Sequence, residues 1–431
     1  MVLRFRAGIN RIKQSEYIKN IAVVFSGTAI AQIIPILLSP VLSRLYTPDD
    51  FGVYAFAMSI GLCAAAIAAS QYNHGIMLEK AIYSAKRVVF VSIFVTIAIS
   101  LITLATIVVA IWGFHISSLE DNKNSVCILL PLYVFFSGVI SSFNLWNNRN
   151  KQYKIISKGR VISTSVTIIS QIILAFIFKV SPVLLLLGFV LGQFCSFLYL
   201  FFSTSDLYKG LFDELSFISM KEVSIKYKRF LTYTSFADLL NIFLMQLPVF
   251  ILTRLVGVAQ TGQFAFSNRL LAMPIRFISS SVGEVFRQRA IDEYTKRGNC
   301  TQIFFQTFKG LFLLSIIPFL VLFIFAPDIF AFVFGEIWRE AGVFTRIMTP
   351  MFFFKFTVSP LTYLYYINGR QKEDFVLHVL MLILIVVSLY SGYEYFQNIN
   401  IALLFYSLCF VGIYIYYLCR SYILSKRNIS L

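Results

Sequence analysis

SRLYTPDDFGVYAFA, residues 43–57, joins the end of one long apolar run to the start of the next. The same layout returns at residues 253–267 as TRLVGVAQTGQFAFS, where Arg254 corresponds to Arg44. The offset is 210 residues throughout and contains no gap. An internal repeat of this kind indicates that the chain consists of two related halves.

The acidic turn inside this stretch predicts where a helix begins. Thr47 can cap a helix N-terminus, Pro48 suits the first turn, and the two aspartates that follow lie at the positive end of the helix dipole. A second span is therefore predicted to begin at about residue 48. Two glycines that match at the same offset allow close helix contact just inside that start: Gly52 and Gly262.

The composition is that of an integral membrane protein. Hydrophobic residues make up 58% of the chain and charged residues 13%, against about a quarter charged in soluble domains. The mean hydropathy is +0.79. The net charge of +17 lies in short segments between apolar stretches, which indicates a cytoplasmic membrane face and no nucleic-acid partner.

Apolar runs near 20 residues predict an all-α polytopic fold with about twelve transmembrane helices. The predicted spans are 18–46, 51–78, 87–113, 125–147, 160–178, 182–203, 230–256, 261–285, 303–326, 344–368, 375–396 and 399–420. The first is too long for a signal peptide and is expected to remain. Because each half has six spans, the repeats share one orientation and form two pseudo-symmetric lobes.

The longest linker divides the two lobes. The predicted organisation is an N-terminal lobe at 1–203, a cytoplasmic linker at 204–229 and a C-terminal lobe at 230–431. The LFDELSFI core of the linker is predicted to lie as an amphipathic helix on the membrane surface.

Loop charges predict the orientation. Alternate linkers, EKAIYSAKR, NNRNKQYKIISKGR, RQRAIDEYTKRGN and NGRQKED among them, hold nearly all the loop Lys and Arg. The opposite linkers hold only Lys123, Lys179 and Arg339. Since positive residues mark the inside, both termini are predicted to be cytoplasmic.

Basic residues inside the spans predict an anion-binding cavity. A lysine or arginine at a helix centre costs about 2.5–3.5 kcal/mol on insertion scales, so such residues usually face a watery cavity or a partner. The predicted cavity residues are Arg44, Arg254, Arg269, Arg276 and Lys355. The alternative for the residues near span ends is that they snorkel to the interface; these are Arg44, Arg254, Arg276 and Arg346.

Acidic residues and histidine within the spans are the candidate ion-coupling groups. These are Asp238, Glu284 and His74, of which the last two match at the 210-residue offset. The alternative for His74 is a hydrated helix end. Prolines inside spans are predicted to kink them, as suits a protein that opens alternately to two sides: Pro35, Pro40, Pro248, Pro274, Pro350 and Pro360.

The sequence shows no motif of an enzyme or a metal site. Walker A, HExxH and carboxylate clusters are missing, and the six cysteines have neither CxxC nor histidine spacing. We therefore expect no cofactor, no metal and no catalytic residues, and we interpret the cysteines as small apolar side chains.

Two stretches resemble the bacterial polysaccharide flippases of the O-antigen and capsule type (Wzx-like). This group belongs to the multidrug, oligosaccharidyl-lipid and polysaccharide exporter superfamily. SRLYTPDDFGVYAFA followed by SQYNHGIMLEK resembles their first two helices, and NRLLAMPIRFISSSVGEVFRQRA resembles their eighth helix and the loop after it. The likeness is clear over about 20–90 and 230–300.

The resemblance implies two six-helix lobes in a V around a central cavity in the bacterial inner membrane. It also implies the substrate, an undecaprenyl-diphosphate-linked oligosaccharide moved from the cytoplasmic to the periplasmic leaflet. The expected partners are this lipid-linked oligosaccharide, membrane lipids, and a polysaccharide polymerase with its chain-length regulator. A diphosphate is an anion that arginines bind with bidentate hydrogen bonds, which agrees with a cationic cavity.

Other classes stay open at this stage. A membrane polymerase or ligase would also have many spans, but such enzymes usually carry a long external loop, and the longest here is APDIFAFVFGEIWREAG, residues 326–342. A drug or small-cation exporter of the same superfamily is disfavoured by the excess of cations over acids in the spans. A channel or an assembly factor is a further alternative.

Overall fold

The computed structural model describes residues 27–68, 72–114, 122–208, 217–228 and 234–426. Within these residues the chain folds into helices joined by short turns and contains no strand, which confirms the predicted all-α class. Twelve long helices, numbered here in chain order, are α1 Gly27–Leu45, α2 Pro48–Ala68, α3 Ile82–Phe114, α4 Lys123–Arg149, α5 Tyr153–Ile177, α6 Pro182–Ser203, α7 Ser235–Val256, α8 Val258–Arg297, α9 Thr301–Phe334, α10 Arg339–Val358, α11 Gln371–Phe396 and α12 Ile399–Ser425.

Ten of these helices are long and apolar enough to cross a membrane. The two exceptions are α8 and α10, which have 40 and 20 residues. Length is therefore not what separates them from the others. They are the helices that carry Arg269, Arg276, Arg346 and Lys355, so the charged residues of interest concentrate on two helices.

The start of α2 is fixed by reciprocal hydrogen bonds. The Thr47 backbone N–H donates to Asp50 Oδ2 at 2.9 Å, and the Asp50 N–H donates to Thr47 Oγ1 at 3.3 Å. This is a capping box with aspartate in the acidic position. The predicted start at residue 48 is confirmed, and α8 starts 210 residues later at Val258.

The helices pack into two compact units. One unit comprises Met1–Leu45 and Ala57–Phe243, and the other comprises Tyr46–Phe56 and Leu244–Leu431. The first turns of α2 therefore group with the C-terminal unit, and the first turns of α7 group with the N-terminal unit. The lobe boundaries drawn from the linker remain a prediction.

The N-terminal unit is held together by small residues and by hydrogen bonds between helices. A Cβ placed on Gly188 or Gly192 of α6 would meet Gln171 or Thr167 of α5 at 2.6 or 2.0 Å, so these two helices touch at glycine. Gln171 also donates from Nε2 to the Leu185 carbonyl at 2.8 Å. Such bonds satisfy polar groups that lipid cannot.

The linker helix, Phe217–Lys226, docks on the N-terminal unit. Val223 and Tyr227 are buried in the apolar cluster that includes Tyr72 and Ile76. Most of the LFDELSFI segment, which we predicted to lie on the membrane, falls outside the described residues.

Glu79 joins the linker helix to the turn before α3, an arrangement we call the linker clamp. Its carboxylate accepts hydrogen bonds from Lys226 Nζ at 2.5 Å and from the Tyr227 hydroxyl at 2.8 Å. Burial raises the pKa of Glu79, but these hydrogen bonds and the positive charges of Lys226 and Arg149 together outweigh it, so the pKa lies below its usual value. Arg149 donates to the Ile76 carbonyl of the same turn at 2.7 Å.

The outer surface of α9 is apolar over several turns. Its exposed side chains include Leu313, Leu314, Ile317, Leu320, Val321 and Ile324. A continuous apolar surface of this size is not stable against water, and it identifies the face that contacts lipid.

Several helices extend further than predicted. α5 begins at Tyr153 instead of 160, α8 continues to Arg297 instead of 285, and α9 reaches Phe334 instead of 326. Hydropathy reports where the chain leaves lipid, whereas a helix continues into water as long as its backbone bonds persist. The predicted 17-residue external loop is consequently wrong, since only Gly335–Trp338 separate α9 from α10.

Two helices end earlier than predicted. The second span was predicted to reach residue 78, but α2 ends at Ala68 and residues 72–78 form two short helical segments. The tenth was predicted to reach 368, but α10 ends at Val358 and continues as a 3-10 segment, Ser359–Tyr363. Pro360 lies in the first turn of that segment, where its missing N–H costs nothing.

Candidate functional site

The start of α8 is fixed against α10 by polar side chains. Gln263 Nε2 donates to the Ile337 carbonyl at 2.7 Å, and Gln263 Oε1 accepts from the Ala341 N–H at 3.0 Å. Four residues later, Ser267 Oγ lies 2.6 Å from Thr345 Oγ1. These bonds lock the rotation of α8 about its own axis.

The same contacts show that α8 and α10 run parallel. Residue 263 pairs with 341, 267 pairs with 345, and a Cβ on Gly283 would lie 3.9 Å from Pro360. Residue numbers therefore increase in the same direction along both helices. Lys355 follows Thr345 by ten residues and position 276 follows Ser267 by nine, so at 1.5 Å per residue the two lie at a similar depth.

α2 crosses α8 at the matched glycines. A Cβ added to Gly52 would lie 1.9 Å from the Val258 carbonyl oxygen, and one added to Gly262 would lie 1.8 Å from that of Pro48. Pro48 and Val258 are themselves a matched pair at the 210-residue offset, as are the two glycines. Each glycine therefore makes the same contact on the opposite helix. The predicted close approach of the two helices is confirmed, and the repeat appears as a symmetric contact.

Arg269 lies on the side of α8 away from its anchor. At about 100° per residue it is about 200° around the helix from Ser267. The side chain is half-buried and makes no hydrogen bond or ion pair with the described residues. Arg276 follows two turns later on the same side of the helix, although its side chain lies outside the described part.

Lys355 and Arg346 do not share a face of α10. They are nine residues apart, which is about half a turn, so one helix cannot present both to one cavity. Arg346 is exposed, whereas Lys355 is half-buried with Nζ 5.4 Å from the Phe352 ring centroid. Of the two, Lys355 has the environment expected of a cavity cation.

Arg44 and Arg254 are both exposed near helix ends. Arg44 is the penultimate residue of α1 in the N-terminal unit, and Arg254 lies in the last turn of α7 in the C-terminal unit. Their matched positions follow from the repeat. Their substrate role remains a prediction.

The three candidate ion-coupling residues occupy different settings. Asp238 lies half-buried in the first turn of α7, within the N-terminal unit. Glu284 is exposed on α8 in the C-terminal unit and forms no ion pair among the described residues. His74 is exposed in the short 3-10 segment Tyr72–His74, not in the long second helix as predicted.

Sequence reasoning missed Arg287, because the charged end of α8 was interpreted as a loop. Its guanidinium lies 4.4 Å from the ring centroid of Tyr363. Tyr363 in turn stacks on Tyr366, with centroids 5.7 Å apart and ring planes at 19°. The clue available in the sequence was spacing, since Arg287 follows Arg269 by 18 residues, or five full turns.

No group of three or more His, Cys, Asp or Glu side chains is placed to hold a metal among the residues described here. All six cysteines are free thiols, two of them buried and Cys419 exposed.

The described helices define a multi-pass, all-α membrane protein, and its fold is similar to that of several solved membrane proteins. An inward-facing multidrug resistance MATE transporter of the MOP superfamily has TM-score 0.65 at 12% identity, covering 94% of this chain and 100% of that one. The lipid II flippase MurJ, inward closed, has TM-score 0.69 at 15% identity, covering 94% and 90%. A MOP-superfamily transporter from Pyrococcus furiosus has TM-score 0.61 at 13% identity, covering 93% of each chain.

The family is given by the sequence itself. The family described as polysaccharide biosynthesis protein matches residues 41–343, so the chain belongs to it. Among curated proteins no sequence matches significantly. The predicted resemblance to the Wzx-like polysaccharide proteins of the exporter superfamily is thereby confirmed at the level of family and fold.

Proposed function

We propose that the chain is a flippase for an undecaprenyl-diphosphate-linked oligosaccharide repeat unit of the O-antigen or capsule type. It moves this lipid from the cytoplasmic to the periplasmic leaflet of the bacterial inner membrane by alternating access. The lobes are residues 1–203 and 230–431, joined by the linker 204–229, with both termini cytoplasmic. The chain is not an enzyme and uses no cofactor.

The observation that carries the proposal is the arginine face of α8. Arg269 is half-buried, has no acidic partner among the described residues, and shares its face with position 276. An arginine kept at membrane depth without a partner is costly, and an anionic ligand repays that cost. For the lipid-linked oligosaccharide that the resemblance to Wzx-like flippases implies, that anion is the diphosphate of the lipid carrier.

The remaining cations extend this site. We propose Arg44, Arg254, Arg269, Arg276 and Lys355 as its substrate-binding residues, with Asp238, Glu284 and His74 as the groups available for ion coupling. Arginine suits a diphosphate because its planar fork makes two parallel hydrogen bonds to phosphate oxygens. A polysaccharide polymerase and its chain-length regulator are the proposed partners, since they use the product on the periplasmic side.

The membrane potential is the proposed energy source. A diphosphate linker carries about two negative charges, and moving each through 100 mV is worth about 2.3 kcal/mol. With the cell interior negative, outward movement of this anion is downhill. The cationic site then lowers the barrier for desolvating the diphosphate.

Deletion of the gene in its own host tests the function. A flippase deletion removes surface polysaccharide and raises the amount of undecaprenyl-diphosphate-linked repeat units, measured by mass spectrometry of lipid extracts. A polymerase deletion would instead leave single repeat units on the cell surface. Intact polysaccharide with a changed drug sensitivity would identify an exporter and refute the proposal.

A further inference from the structure

Arg287 lies on the same face of α8 as the two proposed substrate arginines. It follows Arg276 by eleven residues and Arg269 by eighteen, which in an ideal α-helix places all three positions within about 20° of one another. Pro274 lies within the continuous helix between Arg269 and Arg276. At 1.5 Å per residue the steps are about 10 Å and 16 Å. Arg287 was excluded from the predicted site only because α8 was expected to end at residue 285.

If α8 crosses the bilayer, its length places Arg287 near the lipid headgroups. α8 has 40 residues and is therefore about 60 Å long, twice the thickness of a bilayer core. If Val258 lies at one edge of the core, Arg287 is about 43 Å further along the helix and about 13 Å past the other edge, just outside the headgroup layer, from where its long side chain can reach back to it. The diphosphate of a lipid carrier lies at this level before it is moved.

The Arg287 guanidinium lies over the ring of Tyr363. The separation of 4.4 Å between its central carbon and the ring centroid is that of a cation–π contact, which occupies no N–H donor with a hydrogen-bond acceptor. Arg287 makes no hydrogen bond or ion pair with the described residues, and Glu284, one turn earlier on α8, does not pair with it. All five donors are thus available to a ligand.

The Tyr363 ring is itself held by a second aromatic ring. Tyr363 is the last residue of the 3-10 segment after α10, and Tyr366 lies in the short α-helical segment that follows, Leu364–Ile367. The two rings stack with their centroids 5.7 Å apart, which limits the motion of the ring that contacts Arg287.

We infer that Arg287, stacked on Tyr363, is an entry site that binds the diphosphate of the lipid carrier before it reaches Arg276 and Arg269. The inference rests on the proposed function and adds a binding residue to it. The contact with Tyr363 restricts the motion of the guanidinium, so the phosphate groups meet donors that have already lost part of their freedom. Tyr363 is a positioning residue and does not itself touch phosphate.

Native mass spectrometry of the full-length protein in detergent tests this site, with undecaprenyl diphosphate as the probe and phosphatidylglycerol as the headgroup control. Arg287→Ala is expected to weaken undecaprenyl diphosphate binding about 10- to 100-fold, the range of a charge-assisted bidentate contact. Arg289→Ala is the matched control, because Arg289 is exposed two residues later on the other side of α8. Arg289→Ala should bind undecaprenyl diphosphate with the same affinity as the unchanged protein.

Substitutions at Tyr363 separate stacking from a structural effect. Tyr363→Phe keeps the ring and should keep binding, whereas Tyr363→Leu should lose about 3- to 10-fold, because the fork is no longer oriented. Equal losses in both variants, or unchanged binding in Arg287→Ala, would overturn the inference. An equal loss of phosphatidylglycerol binding in Arg287→Ala would also overturn it and identify a headgroup anchor.

The outcome also distinguishes this inference from the proposed function. If the unchanged protein does not bind undecaprenyl diphosphate, both fail. If it binds and Arg287→Ala binds equally well, the flippase proposal stands and the entry site alone is rejected.

Discussion

Alanine at either matched glycine should separate α2 from α8. A Cβ at Gly262 would lie 1.8 Å from the Pro48 carbonyl oxygen, and a comfortable carbon–oxygen contact is about 3.3 Å. The helices must therefore move apart by about 1.5 Å. No rotamer change relieves this contact, because the opposing atom belongs to the backbone.

The expected cost is about 2–3 kcal/mol, the upper part of the range for overpacking. For a unit of about 200 residues this corresponds to a melting temperature about 5–10 °C lower. Gly262→Ala and Gly52→Ala are purified in detergent, and tryptophan fluorescence is followed during heating. Surface polysaccharide should fall as well, since the crossing sets the position of the arginine face on α8.

Gly310→Ala is the matched control, because Gly310 lies inside α9, in its third turn, with nothing within 4 Å of an added Cβ. This variant should be neutral or more stable by about 0.5–1 kcal/mol, the helix-propensity difference between alanine and glycine. The double variant Gly52→Ala, Gly262→Ala should lose little more than either single one, because one separation relieves both contacts. A Gly262→Ala protein that melts with the unchanged protein would refute the crossing.

The other predictions concern charge and orientation. Arg269→Ala or Lys355→Ala should abolish surface polysaccharide at unchanged protein level in the membrane; Arg269→Lys should retain part of it if charge alone matters and little if bidentate geometry is needed. In a cysteine-free background, a membrane-impermeant thiol reagent added outside should label cysteine at Asn122 but not at Asn150, and the reverse would invert the topology. In proteoliposomes an imposed potassium-diffusion potential should drive the lipid-linked substrate toward the positive side at fixed pH and sodium; movement that follows only a proton or sodium gradient would reject the electrical scheme. Glu79→Ala should release the linker clamp, seen as faster tryptic cleavage of the linker. Because the pKa of Glu79 is lowered on folding, its contribution is present at neutral pH and is lost as the pH falls through that lowered value, so acid should produce the same release.

The apolar pattern predicted most of the fold. A bilayer core requires about 20 apolar residues per crossing and leaves no backbone group unpaired, so composition and run length give helices with little ambiguity. The start of α2 was also predictable, because it depends on local interactions. Thr47 and Asp50 lie within one turn, and their hydrogen bonds involve no other part of the chain. The contact of Gly52 with Gly262 was predictable from the repeat.

The helix ends were less predictable where they leave the membrane. The charged segment after Glu284 has the hydropathy of a loop, yet α8 continues through it to Arg297, where Gly298 in the left-handed conformation ends it. Hydropathy indicates whether a segment favours water or lipid, but not its secondary structure. A polar helix in water therefore has the same hydropathy as a polar turn. The extension brings Arg287 into the row of arginines.

The sequence by itself determined that this chain crosses a membrane, that its halves repeat, and which few cations lie at membrane depth. Residue type sets the free energy of transfer into the membrane, and spacing along the chain sets the position of a residue around its helix. Both can be read from the sequence without knowledge of the packing. Only the tertiary structure decided which side of α8 packs against α10 and which aromatic ring contacts Arg287. The contact between Arg287 and Tyr363 joins residues 76 positions apart. It depends on how α8 is rotated against α10 and on where α10 changes to a 3-10 segment, and no local pattern encodes that rotation.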